Sequence, residues 1–236
     1  ITLQTENELA VIAKDEIEES RLSDLSTMPE GLLDAMKEDE IRDLVGYLRG
    51  ATQSPMLATK ANVGRFFDGA SLAGWSGDPA CWSVENGEIV GKTKGLAKNT
   101  FLESELDLQD FRLSIEVRLA KDEGNSGVQF RTRARDDGEV EGYQADAGPG
   151  WWGKLYEENG RGILSEGPTE DPVVKDGWNR YEIEAKGHHV KTWLNGKVCV
   201  DLEDPKGATR GIVALQLHSG GATEVRFRGL RLERME

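Results

Sequence analysis

Nine consecutive residues, Phe111 to Leu119, alternate without a break. Phe111, Leu113, Ile115, Val117 and Leu119 share one parity; Arg112, Ser114, Glu116 and Arg118 share the other. Successive side chains leave an extended strand on opposite sides, so a period of two marks a strand with one apolar face. Such a face must be buried against a second layer. The chain from Gly64 onward offers that layer. Val128 and Phe130 alternate with Gln129, Arg131 and Arg133. Tyr181, Ile183 and Ala185 alternate with Glu182, Glu184 and Lys186, and Val213, Leu215 and Leu217 with Ile212, Ala214, Gln216 and His218. Asn86-Gly87 and Asn195-Gly196 are strong signals for two-residue hairpin turns. Val225 and Phe227 share one parity but Leu230 and Leu232 the opposite one, which predicts a β-bulge at Gly229. Short strands, regular turns and no helical crossovers predict a mainly β protein, a two-sheet antiparallel β-sandwich or jelly roll over residues 64–236.

The first fifty residues read differently. Ile41, Leu44, Val45 and Leu48 lie at helical spacing, with Pro29 at a first turn and Gly50 just past the end. Residues 51–63, small, polar and proline-interrupted, read as a linker. Cys81 and Cys199 are too few for a disulfide framework or a zinc site. With 29 basic and 43 acidic residues the net charge is −14, which argues against nucleic acid or an anionic membrane as partner. No apolar run is long enough to span a bilayer. The chain begins at Ile1 without a start methionine or signal sequence, which leads us to expect a processed or excised piece of something longer.

The densest chemistry lies between Gly142 and Leu164, where two tryptophans, two tyrosines, a lysine, an arginine and several carboxylates are set among six glycines. Tyr143-Gln144-Ala145-Asp146 alternates like a strand and sends Gln144 and Asp146 to one face. Gly148-Pro149-Gly150 turns the chain before Trp151-Trp152. Flat rings beside carboxylates and amides suit a sugar, whose faces are apolar and whose edges are hydroxyls. A surface loop pinned by two half-buried tryptophans is the other reading. The non-core face of one sheet carries Gln129, Arg131, Gln144, Asp146, Gln216 and His218. That face is either a ligand cleft or a solvated outer surface.

Two resemblances add to this. Ser26-Thr27-Met28-Pro29-Glu30-Gly31-Leu32-Leu33 and the helix after it resemble the C-terminal half of a c-type cytochrome domain of the planctomycete kind, with Met28 at the axial-ligand position. No Cys-x-x-Cys-His occurs, so no haem is expected, and residues 1–50 read as a remnant. Because c-type haem proteins mature outside the cytoplasm, this resemblance implies a periplasmic or secreted protein. The second set is Phe67-Asp68-Gly69, Gly74-Trp75, Glu85-Asn86-Gly87-Glu88-Ile89-Val90-Gly91, Gly124-Asn125-Ser126-Gly127-Val128-Gln129-Phe130-Arg131, Gly177-Trp178-Asn179-Arg180-Tyr181, Leu194-Asn195-Gly196, Leu215-Gln216-Leu217-His218 and Val225-Arg226-Phe227-Arg228. Together with the Gly142–Leu164 stretch, these resemble the 3-keto-disaccharide hydrolase family, which has a concanavalin-like jelly roll.

That resemblance implies cleavage of glycosides already oxidised at carbon 3. The ketone acidifies the proton on C2, a base removes it, the C1 substituent is eliminated, and water adds afterwards. It implies His218 as base, Arg131 as electrophile on the keto oxygen, and Asp146 and Glu157 for acid/base work. Glu158 is the less favoured carboxylate. Lys154 would assist the oxyanion, and Gln129, Gln144, Trp151, Trp152, Tyr156 and Gln216 would contact the sugar. A divalent metal held by His218, Asp146 and Glu157 would also serve enolisation, and calcium in a carboxylate-rich loop is a separate option. The partner in either case is a carbohydrate. A non-catalytic carbohydrate-binding module is the alternative. An ordinary β-glucanase needs Glu-x-Asp-x-Glu; Glu103-Ser104-Glu105-Leu106-Asp107 has the wrong order and Glu182-Ile183-Glu184 is incomplete.

Overall fold

The computed structural model describes residues 2–4, 9–11, 13, 15, 17, 31–38, 40, 41, 44, 45 and 55–235, in two units, 1–54 and 55–236. In the first unit, β1 (Thr2–Gln4) and β2 (Leu9–Val11) pair antiparallel. Glu38, Glu40, Ile41, Leu44 and Val45 are helical, and the Lys37 N–H donates to the Glu40 carboxylate at 2.7 Å, the reach-back half of a capping box. Met28, Pro29, Leu48 and Gly50, to which the helix ends and the cytochrome-like ligand position were assigned, lie outside the described residues. Among the described residues no helix is long and apolar enough to cross a membrane.

The second unit is a sandwich of two seven-stranded sheets. In chain order its strands are β3 (Met56–Leu57), β4 (Trp75–Ser76), β5 (Trp82–Glu85), β6 (Glu88–Thr93), β7 (Thr100–Ser104), β8 (Leu106–Asp107) and β9 (Phe111–Leu119). Then come β10 (Ser126–Ala134), β11 (Val140–Ala147), β12 (Leu155–Glu158), β13 (Gly162–Ser165) and β14 (Asn179–Lys186). The last are β15 (His189–Leu194), β16 (Lys197–Glu203), β17 (Ile212–Leu217) and β18 (Thr223–Arg234). The front sheet runs β13-β12-β11-β10-β17-β7-β4 and the back sheet β16-β15-β14-β9-β18-β6-β5. All pairings within the two sheets are antiparallel. Both Asn-Gly pairs form hairpin turns with positive φ. The register of β18 against β9 slips between Arg228 and Arg231, which is the bulge expected at Gly229.

The alternation of β9 is carried through into packing. Its five apolar side chains are buried under Val128, Phe130, Tyr143, Ala145, Leu215 and Leu217 of the front sheet. Phe130 stacks on Tyr143 at 5.3 Å and meets Phe111 edge-on at 6.4 Å, so the two sheets are joined through aromatic contacts. Each such side chain contributes about 1.5–3 kcal/mol by leaving water. The linker assigned to 51–63 ends earlier than expected. From Pro55 the chain belongs to the sandwich: β3 pairs parallel with β8, and Ala58 is buried in the core. A proline-interrupted, small-residue segment can still supply one buried methyl and a short edge strand, and composition does not distinguish that from a free linker.

One irregularity shapes the front sheet. Arg131 has φ +48°, and the register of β10 slips here against both β11 and β17. Gly142 and Gly211 flank the bulge. A Cβ on Gly142 would stand 2.7 Å from Thr132 Cα, and one on Gly211 2.4 Å from the Arg131 carbonyl carbon, so neither position tolerates a side chain. Beyond the bulge Val140 packs on Phe101 and Ala214, two residues of the non-core face, in a small second apolar cluster. Asn99 Nδ2 donates to Glu139 at 3.3 Å, and Asn159 Nδ2 donates to the Val140 carbonyl at 2.8 Å. The β10–β11 hairpin thus leans over the face that the sequence left as cleft or solvated surface. It is not a solvated outer surface: Gln129, Gln144, Asp146 and Gln216 are between 0 and 3 % exposed.

Candidate functional site

The buried polar face is ordered by a chain of hydrogen bonds that all run one way. The Thr132 hydroxyl stands 3.3 Å from Gln129 Oε1, Gln129 Nε2 donates to Gln144 Oε1 at 2.5 Å, and Gln144 Nε2 donates to Asp146 Oδ1 at 2.5 Å. Gly127 makes room for it, since a Cβ there would fall 2.5 Å from the Gln144 side chain. Ser126 and Gly127 open β10, with Ser126 Oγ donating to the Gln216 carbonyl at 2.7 Å. Asp146 Oδ2 and Gln216 Oε1 are buried acceptors with no partner among the described residues. Burial pushes the Asp146 carboxyl up to about 7; the Gln144 amide and Lys154 pull it down, and Glu158 pushes it further up. A carboxyl so placed exchanges its proton near neutrality.

The wall beside Asp146 is built by β12 and the turn before it. Leu155 points into the core, so Lys154, Tyr156 and Glu158 fall on the opposite side, with Tyr156 paired to Gln144 and Glu158 to Gly142. Trp151 is exposed, meets Tyr156 edge-on at 6.3 Å and carries Lys154 Nζ over its ring at 5.0 Å. Lys154 also pairs with Glu166 at 2.8 Å. Gln216 Nε2 donates to Glu158 at 3.2 Å, and burial followed by the charge of Glu139 raises the Glu158 carboxyl, against the pull of Gln216 and His218. His218 lies just past β17, exposed, with Nδ1 2.7 Å from the Ser219 carbonyl oxygen. The turn is fixed from within: Tyr181 of the back sheet donates to the Asp146 carbonyl and accepts from the Gly153 N–H at 2.7 Å.

Four sequence assignments are corrected by this geometry. Glu157 points away from Asp146, on the Leu155 side of β12, where Arg161 binds it at 2.6 Å and Arg161 also binds Asp204. Tyr143 donates to Asp204 at 2.6 Å, completing that cluster. Arg161 holds the Glu157 carboxyl below its ordinary range. The residue on the site side is its neighbour, Glu158, and carrying the alternation on from Leu155 would have found it. Arg131 is fully buried, and its guanidinium serves the carbonyls of Gln109 and Gly187 and the carboxylate of Asp110, at 2.6 to 3.1 Å. It organises loops and has no free fork for a keto oxygen. Trp152 faces inward, stacked on Tyr181 at 6.2 Å, so Trp151 alone of the pair offers an open ring. The metal trio of His218, Asp146 and Glu157 does not converge, because Glu157 is on the other face of its strand. Among the described residues no three His, Cys, Asp or Glu side chains are grouped to hold a metal ion.

The pattern of a 3-keto-alpha-glucoside-1,2-lyase-like domain matches residues 63–233. The chain belongs to that family. The lyase-like domain also resembles solved sandwiches. A protein of Parabacteroides distasonis described as a glycosyl hydrolase matches with TM-score 0.57 and 18% identity, over 76% of this chain and 98% of its own. The carbohydrate-binding module CBM66 of Bacillus subtilis matches with TM-score 0.53 and 21% identity, over 68% and 95%. A Bacillus subtilis protein with a galectin-like fold matches with TM-score 0.52 and 11% identity, over 75% and 92%. At such identities these likenesses establish the jelly-roll fold alone. No curated protein matches the chain. The family match begins at residue 63, so the cytochrome-like reading of residues 1–50 gains no support from it.

Proposed function

We propose that the lyase-like domain cleaves 3-keto-glycosides, with Asp146 rather than His218 as the base. The observation that carries this reading is Asp146 Oδ2: a buried acceptor without a partner, on a carboxyl that titrates near 7. It takes the C2 proton, and the electron pair moves to the C3 oxygen as an enolate beside the Lys154 ammonium. The enolate then reforms the ketone as the C1–O bond breaks. Glu158, its carboxyl raised by burial, gives a proton to the leaving oxygen. Water adds across C1 and C2 afterwards. Trp151 and Tyr156 supply the ring face on which the sugar lies, and the rim they form with Lys154 must open for the sugar to reach Oδ2. Any role of a divalent ion lies outside this sequence of steps.

Carbohydrate binding without turnover is the second reading. What favours it is the same burial, since a base that no substrate atom reaches performs no chemistry. Incubation with a 3-keto-glucoside and its unoxidised parent separates the two. Release of the aglycone from the keto form alone, lost by 10²–10⁴-fold in Asp146→Asn at unchanged melting temperature, is the expected result. Binding of both sugars without product leaves only the module, and cleavage of the parent sinks the keto-specific chemistry. Action in the periplasm or outside the cell rests on the cytochrome-like resemblance. Detecting the protein in a periplasmic extract would test it, and confinement to the cytoplasmic fraction would reject it.

A further inference from the structure

The hydrogen-bond chain behind Asp146 has a direction, and its far end lies away from anything a sugar could touch. Gln129 and Thr132 are 0 and 1 % exposed, on either side of the Arg131 bulge. Each amide in the chain presents one donor and one acceptor, so fixing one fixes the next. The Thr132 hydroxyl faces the Gln129 oxygen; the Gln129 nitrogen must then face the Gln144 oxygen, and the Gln144 nitrogen must face Asp146. The hydroxyl has other acceptors, the carbonyls of Phe130 at 3.1 Å and Tyr143 at 3.5 Å, so the two ends of the chain fix it jointly.

We propose that Gln129 and Thr132 are positioning residues which, through Gln144, keep Asp146 Oδ1 occupied and leave Oδ2 as the one oxygen that exchanges a proton. The inference rests on the reading of Asp146 as base for its consequence in turnover, but the relay itself can be measured without turnover. A donor chain ending on Oδ1 favours the ionised carboxylate; the other groups that bear on Asp146 are Glu158, which disfavours ionisation, and Lys154, which favours it. Cutting the chain at Gln129 leaves those two in place and removes only the relay. The base then becomes harder to ionise, and the acid limb of the pH–rate profile moves to higher pH.

The test follows the Asp146 carboxyl by carbon NMR in the full chain labelled at aspartate, its signal assigned by its absence in Asp146→Asn. Gln129→Leu should raise the titration midpoint by about half to one pH unit, the size of one lost hydrogen bond. Gln129→Glu, whose carboxylate cannot donate to Gln144, should raise it at least as far. Thr132→Val should move it a smaller distance in the same direction, and Thr132→Ser should restore it. Unmoved midpoints in the folded Gln129 variants overturn the relay. If those variants do not fold, an unmoved midpoint in Thr132→Val overturns it instead. A shifted midpoint in a protein that never turns over a 3-keto-glycoside keeps the relay and removes the proposed chemistry.

Discussion

Glu157 and Glu158 are neighbours in sequence and live in opposite electrostatic worlds. Glu157 joins Arg161, Asp204 and Tyr143 in a cluster where each carboxylate meets a guanidinium. Arg161 keeps Glu157 low and holds Asp204 well below the ordinary carboxylate range. Glu158 and Asp146, on the other face, are desolvated without a cation in hydrogen-bond contact, and both are raised. A strand changes face at every residue, so one step converts a carboxylate held low by a guanidinium into one raised by burial. The comparison teaches that charge alone does not mark a site. The cluster around Arg161 holds its carboxylates low, and the pair that lacks such a cation is raised.

The largest effect expected of this contrast is on turnover. Glu158→Gln should slow release of a poor leaving group from a 3-keto-glycoside by roughly 10²-fold and leave an activated nitrophenyl aglycone nearly unaffected. Glu157→Gln should change neither rate by more than about twofold; equal losses in both variants would erase the distinction. Stability should respond the other way. Arg161→Ala leaves Glu157 and Asp204 without their cation and should destabilise the fold by about 1–3 kcal/mol, read by denaturant unfolding, while Glu158→Gln should not.

Of the fold, almost all was legible: Phe111–Leu119, the two Asn-Gly turns and the parity break at Gly229 each state a local rule that the packing obeys. The site was legible where alternation holds, as at Gln144 and Asp146. It failed at Arg131, because a bulge at a non-glycine residue rotates the chain and breaks the parity count from Gln129. The signal was displaced onto partners far along the chain, Gly142 and Gly211, whose missing side chains only make sense once they lie against the bulge. The fold-over of Val140 onto Phe101 and Ala214 is a contact between distant strands with no local trace.

A smaller effect should appear in the pH dependence of stability. Asp146 is raised from 3.8 to about 7, so the folded state holds its proton more tightly than the unfolded chain. The stability this lends is complete below about pH 4 and is lost as the pH rises through about 7. Asp204 is lowered, so its contribution is present above its ordinary value and disappears as the pH falls. Chemical unfolding should therefore show Asp146→Asn gaining on the parent as the pH rises from 4 to 8, and Asp204→Asn losing less than the parent as the pH falls below about 4. A parallel pair of curves would contradict both assignments. Smallest of all, Trp151→Ala should weaken binding of a non-hydrolysed glycoside by about fivefold, near 1 kcal/mol, without altering the melting temperature of a residue that packs on no core. Trp152→Ala should do the reverse.

Tyr181 gives the site a mechanical property. Its hydroxyl reaches from the back sheet through the core to the main chain of Asp146 and of Gly153, so floor and loop hang from a single rivet driven through both layers. Sliding one sheet over the other cannot leave the carboxylate where it is. The place of Asp146 is thereby tied to the packing of one sheet against the other.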